Sequence, residues 1–232
     1  MKIKKLLPIA LALVFCATPV FADTNALTGA EEAKTDYSIS VPDFLKITLD
    51  VPGQQSATLG TFSDTYNSAT LDNNLTGTFK VVTNHEQDVY LYGVCEANTG
   101  TANALVGSPG SLALIFTNEG KGTRISTATD LSEITTAGAS ATTKNANAIA
   151  FAVSVSPTME ANSYATGDKI TTDTAIKEGA LKYTLPNSIT TFEINVDKTV
   201  LDNTLSTLDE TGTYKATLYL TNTYDQTPAQ GS

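Results

Sequence analysis

The chain has 232 residues, with 14 basic and 24 acidic residues and a formal net charge of −10 at pH 7. This acidic balance argues against nucleic acid and anionic lipid as partners. The length is sufficient for one sizeable hydrophobic core.

The first 22 residues have the pattern of a secretory signal peptide. Basic residues at 2, 4 and 5 precede an apolar stretch from Leu6 to Phe15, which is too short to span a bilayer, and Val20-Phe21-Ala22 is typical of a cleavage site. Removing residues 1–22 takes away three lysines and no acid, so the net charge moves from −10 to −13. We predict export by the Sec route to the cell surface, the extracellular space or the periplasm, without membrane insertion.

Signal removal leaves Cys95 as the single cysteine, since the other is Cys16. An internal disulfide is therefore excluded, and the folded chain depends on packing. Cys95 follows Val89, Leu91 and Gly93 on one face of a predicted strand, which favours a buried, unreactive thiol. An intermolecular disulfide is the alternative.

Alternating apolar residues predict an almost entirely β chain after a polar leader at residues 23–35. Many short strands with little helix between them favour an all-β, antiparallel immunoglobulin-like or jelly-roll β-sandwich, a single domain over residues 36–224. One helical turn is predicted at residues 200–208. The predicted strands cover residues 37–42, 44–51, 57–62, 75–83, 87–96, 111–117, 122–127, 148–156, 179–185, 189–196 and 214–224.

Three segments rich in Thr, Ala and Ser lack periodicity and are predicted to be long loops. They cover residues 97–110, 128–147 and 158–177. Loops of this length are usually functional or mobile. Residues 225–232 form a predicted flexible tail.

The last predicted strand has a clear inward face, and Gly212 is well placed to turn the chain into it. The run from Asp209 resembles the immunoglobulin-type signature D-x-G-x-Y-x-C, with a tyrosine at the tyrosine-corner position and Ala216 where antibody domains carry a cysteine. That resemblance implies a further strand, and Pro228 makes the tail a poor one. We therefore expect a sandwich lacking its final strand, with a complete sandwich as the alternative. The inward residues are Tyr214, Ala216, Leu218 and Leu220.

Catalytic and metal-binding signatures are weak. His85 is the only histidine and falls in a predicted turn, and the chain contains no nucleophile-elbow motif. Zinc requires several His or Cys ligands, and none of the Asp-rich spots matches a calcium loop. Tyr90 and Tyr92 lie within a predicted strand, where core packing is expected. We predict no catalytic residue, cofactor or metal; a hydrolase with carboxylates assembled in space is a third alternative.

The signal peptide, the alternating segment at residues 37–42 and the terminal strand together resemble bacterial fimbrial subunits and secreted spore-coat-U-type domains. The resemblance implies assembly by strand donation, in which an extended segment of one subunit adds to a sheet of the next. Tyr37, Ile39 and Val41 would be the donor residues, and Tyr214, Ala216, Leu218 and Leu220 would line the acceptor groove. The partners would be copies of this chain or other surface proteins. The alternative is a self-complete monomeric adhesin or module that binds a glycan or protein.

Overall fold

The structure is a computed structural model and describes residues 37–50, 55–97, 100–121, 123, 134–135, 147–161 and 181–222. The predicted signal peptide, leader and tail lie outside these residues. So do most of the predicted loops at 128–147 and 158–177 and all but one residue of the predicted strand at 122–127. By internal contacts the chain divides into two units, Met1–Val41 and Pro42–Ser232.

The described part of the chain contains fourteen β-strands, and every strand pair is antiparallel. The strands are β1 Leu45–Leu49, β2 Leu59–Gly60, β3 Thr70–Leu71, β4 Leu75–Thr83, β5 Gln87–Ala97, β6 Gly100–Asn103, β7 Leu105–Ser108, β8 Ser111–Asn118, β9 Ala148–Ser156, β10 Glu160–Ala161, β11 Leu181–Leu185, β12 Ile189–Val200, β13 Tyr214–Lys215 and β14 Thr217–Thr221.

The strands form two sheets that curl into a half-barrel. The nine-stranded sheet has the order β1-β4-β12-β9-β8-β13, with β2, β3 and β7 attached beside this path. The five-stranded sheet has the order β10-β11-β5-β14, and β6 also pairs with β5. The predicted all-β, antiparallel sandwich is therefore confirmed.

The core forms from side chains that alternate along the strands. In β12, Phe192, Ile194 and Val196 are buried, while Glu193 and Asn195 between them are exposed. This period of two places one face of each strand inside the sandwich. The buried side chains of both sheets form one cluster, so the sandwich has a single main core.

The prediction of a loop at residues 97–110 is wrong, because β6 and β7 occupy most of the described part of that segment. The segment is rich in Ala, Gly and Asn, which are depleted in β-strands, so it gives little strand signal in sequence. The strands form through long-range pairing, since β6 pairs with β5 and β7 pairs with β8. A Cβ built on Gly93 would lie 2.6 Å from the backbone nitrogen of Leu105, so a glycine here allows the segment to approach β5 closely.

Two other predicted elements are absent from the structure. Residues 37–42 form no strand, and the first strand begins at Leu45. The predicted helix at residues 200–208 is replaced by turns, in which Thr204 N donates to Leu201 O and Asp209 N donates to Ser206 O. Single bonds between residues three apart close turns without propagating a helix.

Tyr90 and Tyr92 do not join the main core as predicted. They alternate with the inward-facing Val89 and Leu91, and they pack with Val94 and Tyr219 in a separate cluster. The rings of Tyr92 and Tyr219 stack with centroids 5.2 Å apart. Tyr92 is 5% exposed, so the predicted packing holds for it, but in this separate cluster, because strand alternation alone does not say which face of a strand meets the main core.

Candidate functional site

Each sheet has two end strands, β1 and β13 in the nine-stranded sheet and β10 and β14 in the five-stranded sheet, and the candidate site lies at β1 and β14. The turn at residues 84–86 joins β4 to β5, and the turn at residues 186–188 joins β11 to β12. These two turns place β4 opposite β5 and β12 opposite β11. The remaining neighbour of β4 is β1, and the remaining neighbour of β5 on the side away from β11 is β14. Strands β1 and β14 therefore lie on the same side of the sandwich. Among the described residues, β1 pairs only with β4 and β14 pairs only with β5.

The inward side chains of these two end strands are only half-buried. Leu45 and Ile47 of β1 pack against the main core, as do Leu218 and Leu220 of β14, but none of the four is fully enclosed. On the adjacent strands the inward side chains are fully buried: Val81 of β4 and Val89 of β5 are both 0% exposed. The apolar layer therefore continues to the rim of the sandwich and is incompletely covered there. We call the space between β1 and β14 the rim groove.

The backbone of β1 offers hydrogen-bonding groups to the rim groove. Phe44 O accepts from Asn84 N, and Asp50 N donates to Thr78 O, so even-numbered residues of this stretch face β4. Backbone groups of successive strand residues point to opposite edges. The N–H and C=O groups of Leu45, Ile47 and Leu49 consequently face the other edge, towards the groove.

All four residues predicted to line an acceptor groove pack against the main core and are half-buried. The structure divides them between two strands, because β13 pairs with β8 and β14 pairs with β5. Only Leu218 and Leu220 belong to the end strand of the five-stranded sheet. Ala216 marks the point where the chain passes from one sheet to the other.

Tyr214 forms the hydrogen bond expected of a tyrosine corner. Its hydroxyl donates to Glu210 O at 2.9 Å, four residues upstream. Burial raises the pKa of the Tyr214 hydroxyl to about 12, which keeps this donor protonated. The Tyr214 side chain therefore holds the turn at Glu210 against the start of β13.

Two asparagines that sequence reasoning missed extend this corner. Asn147 adopts a left-handed φ of 64°, and its side-chain oxygen accepts from Glu210 N at 2.9 Å. Asn118 donates from Nδ2 to Glu210 O at 3.0 Å. Asn is enriched at left-handed positions, but the partners lie 63 and 92 residues away, so local sequence carries no signal of the network.

The predicted donor residues belong to the first unit and expose their side chains. Tyr37 is 90%, Ile39 91% and Val41 77% exposed. Three large apolar side chains in alternating positions, all exposed, form an unusual apolar stripe for a surface segment. Ser38 and Ser40 separate them and are exposed as well.

The other candidate chemistry is sparse. Cys95 is buried as predicted, and burial raises the pKa of its thiol to about 12. His85 lies in the turn between β4 and β5, with Nδ1 3.2 Å from Asn84 Oδ1. Within the described ranges, no three His, Cys, Asp or Glu side chains come together as metal ligands, and no helix is long and apolar enough to cross a membrane.

A cavity of about 430 Å³ lies beside the end of β12, with Asp197 and Asp202 in its lining. Both carboxylates belong to exposed residues. A hydrolase site would need two buried acids facing each other across a cleft. No Asp or Glu of the described ranges is buried, so this cavity does not supply that pair.

Comparison of the chain with protein-family models, curated proteins and solved structures gives no match. The rim groove and the stripe at residues 37–41 are therefore interpreted from the geometry of this chain alone.

Proposed function

We propose that this protein is a non-enzymatic structural subunit that assembles with copies of itself by β-strand donation. The donor is the stripe at residues 37–41, and the acceptor is the rim groove of a second copy. Export to a cell surface, as the N-terminal pattern predicts, would place such an assembly outside the cytoplasm.

The observation that carries this proposal is the match between an apolar stripe and an incompletely covered apolar groove in one chain. The groove presents half-buried Leu and Ile side chains and the outward backbone groups of β1, as described above. A strand added there would gain main-chain hydrogen bonds, while its alternate side chains would enter the groove. Burying each of the three donor side chains would contribute about 1.5–3 kcal/mol before the cost of ordering the segment.

The contact is heterologous, because the donor and the acceptor are different surfaces of the same chain. Heterologous contacts form rings when the rotation between subunits closes and open filaments when it does not. The fraction of protein in either product rises with protein concentration, so the measured molar mass at several concentrations reports assembly directly.

The first test compares the chain from residue 23 onward with Ile39→Asp in light scattering after size exclusion. Ile39 is exposed, so the substitution leaves the monomer intact, but in the groove it would bury an unpaired carboxylate. We expect concentration-dependent assembly of the wild-type protein and a monomer for Ile39→Asp. The matched control is Ser40→Asp, which adds the same charge at the neighbouring position and should assemble like the wild type.

The second test uses a synthetic peptide of residues 36–42 as the donor and the Ile39→Asp protein as an open acceptor. We expect the peptide to bind and to raise the melting temperature of the protein, and the same peptide with Ile39→Asp to do neither. The proposal is wrong if the wild-type protein stays monomeric at all concentrations and the peptide leaves the melting temperature unchanged.

That contrary result would favour the alternative, a self-complete monomeric adhesin or binding module. Shortening the Ile39→Asp protein at residue 222 provides the deciding comparison. If peptide binding appears only after this truncation, residues 223–232 fill the groove in the same chain, and strand donation between copies is excluded.

A further inference from the structure

A single turn residue, Asn84, fixes the chain just before β1. Its Nδ2 donates to Pro42 O at 2.8 Å, its Oδ1 accepts from Phe44 N at 2.7 Å, and its backbone N donates to Phe44 O at 3.3 Å. Both backbone groups of Phe44 are thereby occupied. We call this set of three hydrogen bonds the Asn84 clamp.

The clamp lies on the β4 side of the chain. Asn84 directly follows β4, and the pair Leu45 and Thr83 begins the β1–β4 ladder beside it. Residues 42–44 therefore continue the line of β1 along the end of β4. The rim groove is at the opposite edge of β1.

Filling the groove with the chain's own residues 37–41 would require a hairpin over the free edge of β1. Leu45 is the first residue of β1 whose backbone groups face that edge. A hairpin that keeps Val41 as a donor must close on Leu45, so it must turn through Phe44. Turning the chain there would break the two hydrogen bonds by which the Asn84 side chain holds Phe44 N and Pro42 O, and these are the bonds that Asn84→Ala removes.

We infer that the Asn84 clamp directs residues 37–41 into the rim groove of a second copy by preventing them from occupying their own. This inference rests on the proposed function and adds to it a determinant of partner choice. Asn84 is a positioning residue: its clamp bonds go to Pro42 and Phe44, which belong to neither the stripe nor the groove residues named above, and it acts by holding residues 42–44 extended.

The test is Asn84→Ala in the chain from residue 23 onward, with Asn187→Ala as control. Asn187 is also an exposed turn asparagine, between β11 and β12. We expect Asn84→Ala to stay monomeric at concentrations where the wild type and Asn187→Ala assemble. Its affinity for the peptide of residues 36–42 should be at least tenfold weaker than that of Ile39→Asp, because its own stripe occupies the groove.

A double variant shows whether Asn84→Ala loses peptide binding because its own stripe fills the groove or because the groove is damaged. Adding Ile39→Asp to Asn84→Ala disables the chain's own donor, so peptide affinity should return to that of Ile39→Asp alone. A purely structural role for Asn84 would give no such recovery. If Asn84→Ala does not fold, Asn84→Asp replaces it: this variant keeps an acceptor for Phe44 N but turns the donor to Pro42 O into a carboxylate oxygen that repels it, and it should assemble less than the wild type.

Three results would overturn the inference while leaving the proposed function intact. In the first, the folded Asn84 variant assembles as well as the wild type. In the second, the monomeric Asn84 variant binds the peptide as tightly as Ile39→Asp does. In the third, the double variant fails to bind the peptide. If the wild type does not assemble and Ile39→Asp does not bind the peptide, the proposed function fails, and this inference fails with it.

Discussion

The hydroxyl of Tyr214 links β13 to the turn before it through a hydrogen bond to Glu210 O at 2.9 Å, and it also reaches Asn147 Oδ1 at 3.4 Å. Removing this donor leaves a partly enclosed carbonyl with Asn118 as its other partner. We expect Tyr214→Phe to lower the free energy of unfolding by about 1 kcal/mol, the usual net value of such a bond. Urea denaturation monitored by circular dichroism measures the change.

The control for this prediction is Tyr219→Phe. Tyr219 stacks on Tyr92 through its ring, and no hydrogen bond of its hydroxyl to the described residues is found. The control should shift the urea midpoint by much less than Tyr214→Phe. Equal shifts in the two variants would contradict the role assigned to the Tyr214 hydroxyl.

Single residues were predictable from the sequence where the signal is local. Tyr214 could be recognised because Gly212 and the alternating strand lie beside it in sequence. Asn147 could not, since Asp209 and Glu210, to which it bonds, are more than 60 residues away. The role of Asn84 could not be recognised either, because its partners Pro42 and Phe44 lie 42 and 40 residues earlier in the sequence.

At the scale of the strand, the contact of β5 with the segment that follows it depends on Gly93. A Cβ at Gly93 would also lie 3.0 Å from Leu105 Cβ, and neither that atom nor the backbone nitrogen can move freely. We expect Gly93→Ala to destabilise the fold by about 1–3 kcal/mol through overpacking. Thermal and urea unfolding both report the loss.

Gly77→Ala in β4 is the matched control for Gly93→Ala. A Cβ there would meet only the side chain of Ile194, at 3.7 Å, which is ordinary contact distance. Its effect should stay below about 1 kcal/mol in either direction. A loss as large as that of Gly93→Ala would contradict the role given to the close approach at Gly93, because the lower entropy of the unfolded chain in a Gly→Ala variant favours folding.

Strands were predictable where large β-branched or aromatic residues alternate over many positions, as in β4, β5, β9 and β12. The strands β6 and β7 were missed because their segment is rich in Ala, Gly and Asn, which disfavour strands locally, and it is ordered by pairing with β5 and β8. The stripe at residues 37–41 shows the converse case. It alternates like a strand but has no strand partner among the described residues, and alternation alone cannot provide one.

At the scale of the whole molecule, acid should destabilise the fold through carboxylates that are better stabilised in the folded state. Desolvation tends to raise the pKa of Asp88, but hydrogen bonds from Lys182 and Thr184 outweigh it and lower the pKa overall. A pKa lowered by folding contributes stability above its ordinary value near 3.8, and that stability is lost as the pH falls through the lower, folded value. The pKa values of Asp72 and Glu210 are lowered as well.

We therefore expect the stability of the wild-type protein to fall as the pH decreases from 5 towards 2. Asp88→Asn should show a smaller decrease, because its side chain cannot be protonated over this range. Urea midpoints at several pH values give the comparison. Identical curves for the wild type and Asp88→Asn would contradict the role given to Asp88.

At two places, consecutive strands separated by a single residue belong to different sheets. Residues 100–108 pair first with β5 and then with β8, and residues 214–221 pair first with β8 and then with β5. Neither sheet can melt completely without removing strands from the other. The sandwich should therefore absorb heat as one calorimetric unit, and its loss of structure on heating should be all-or-none.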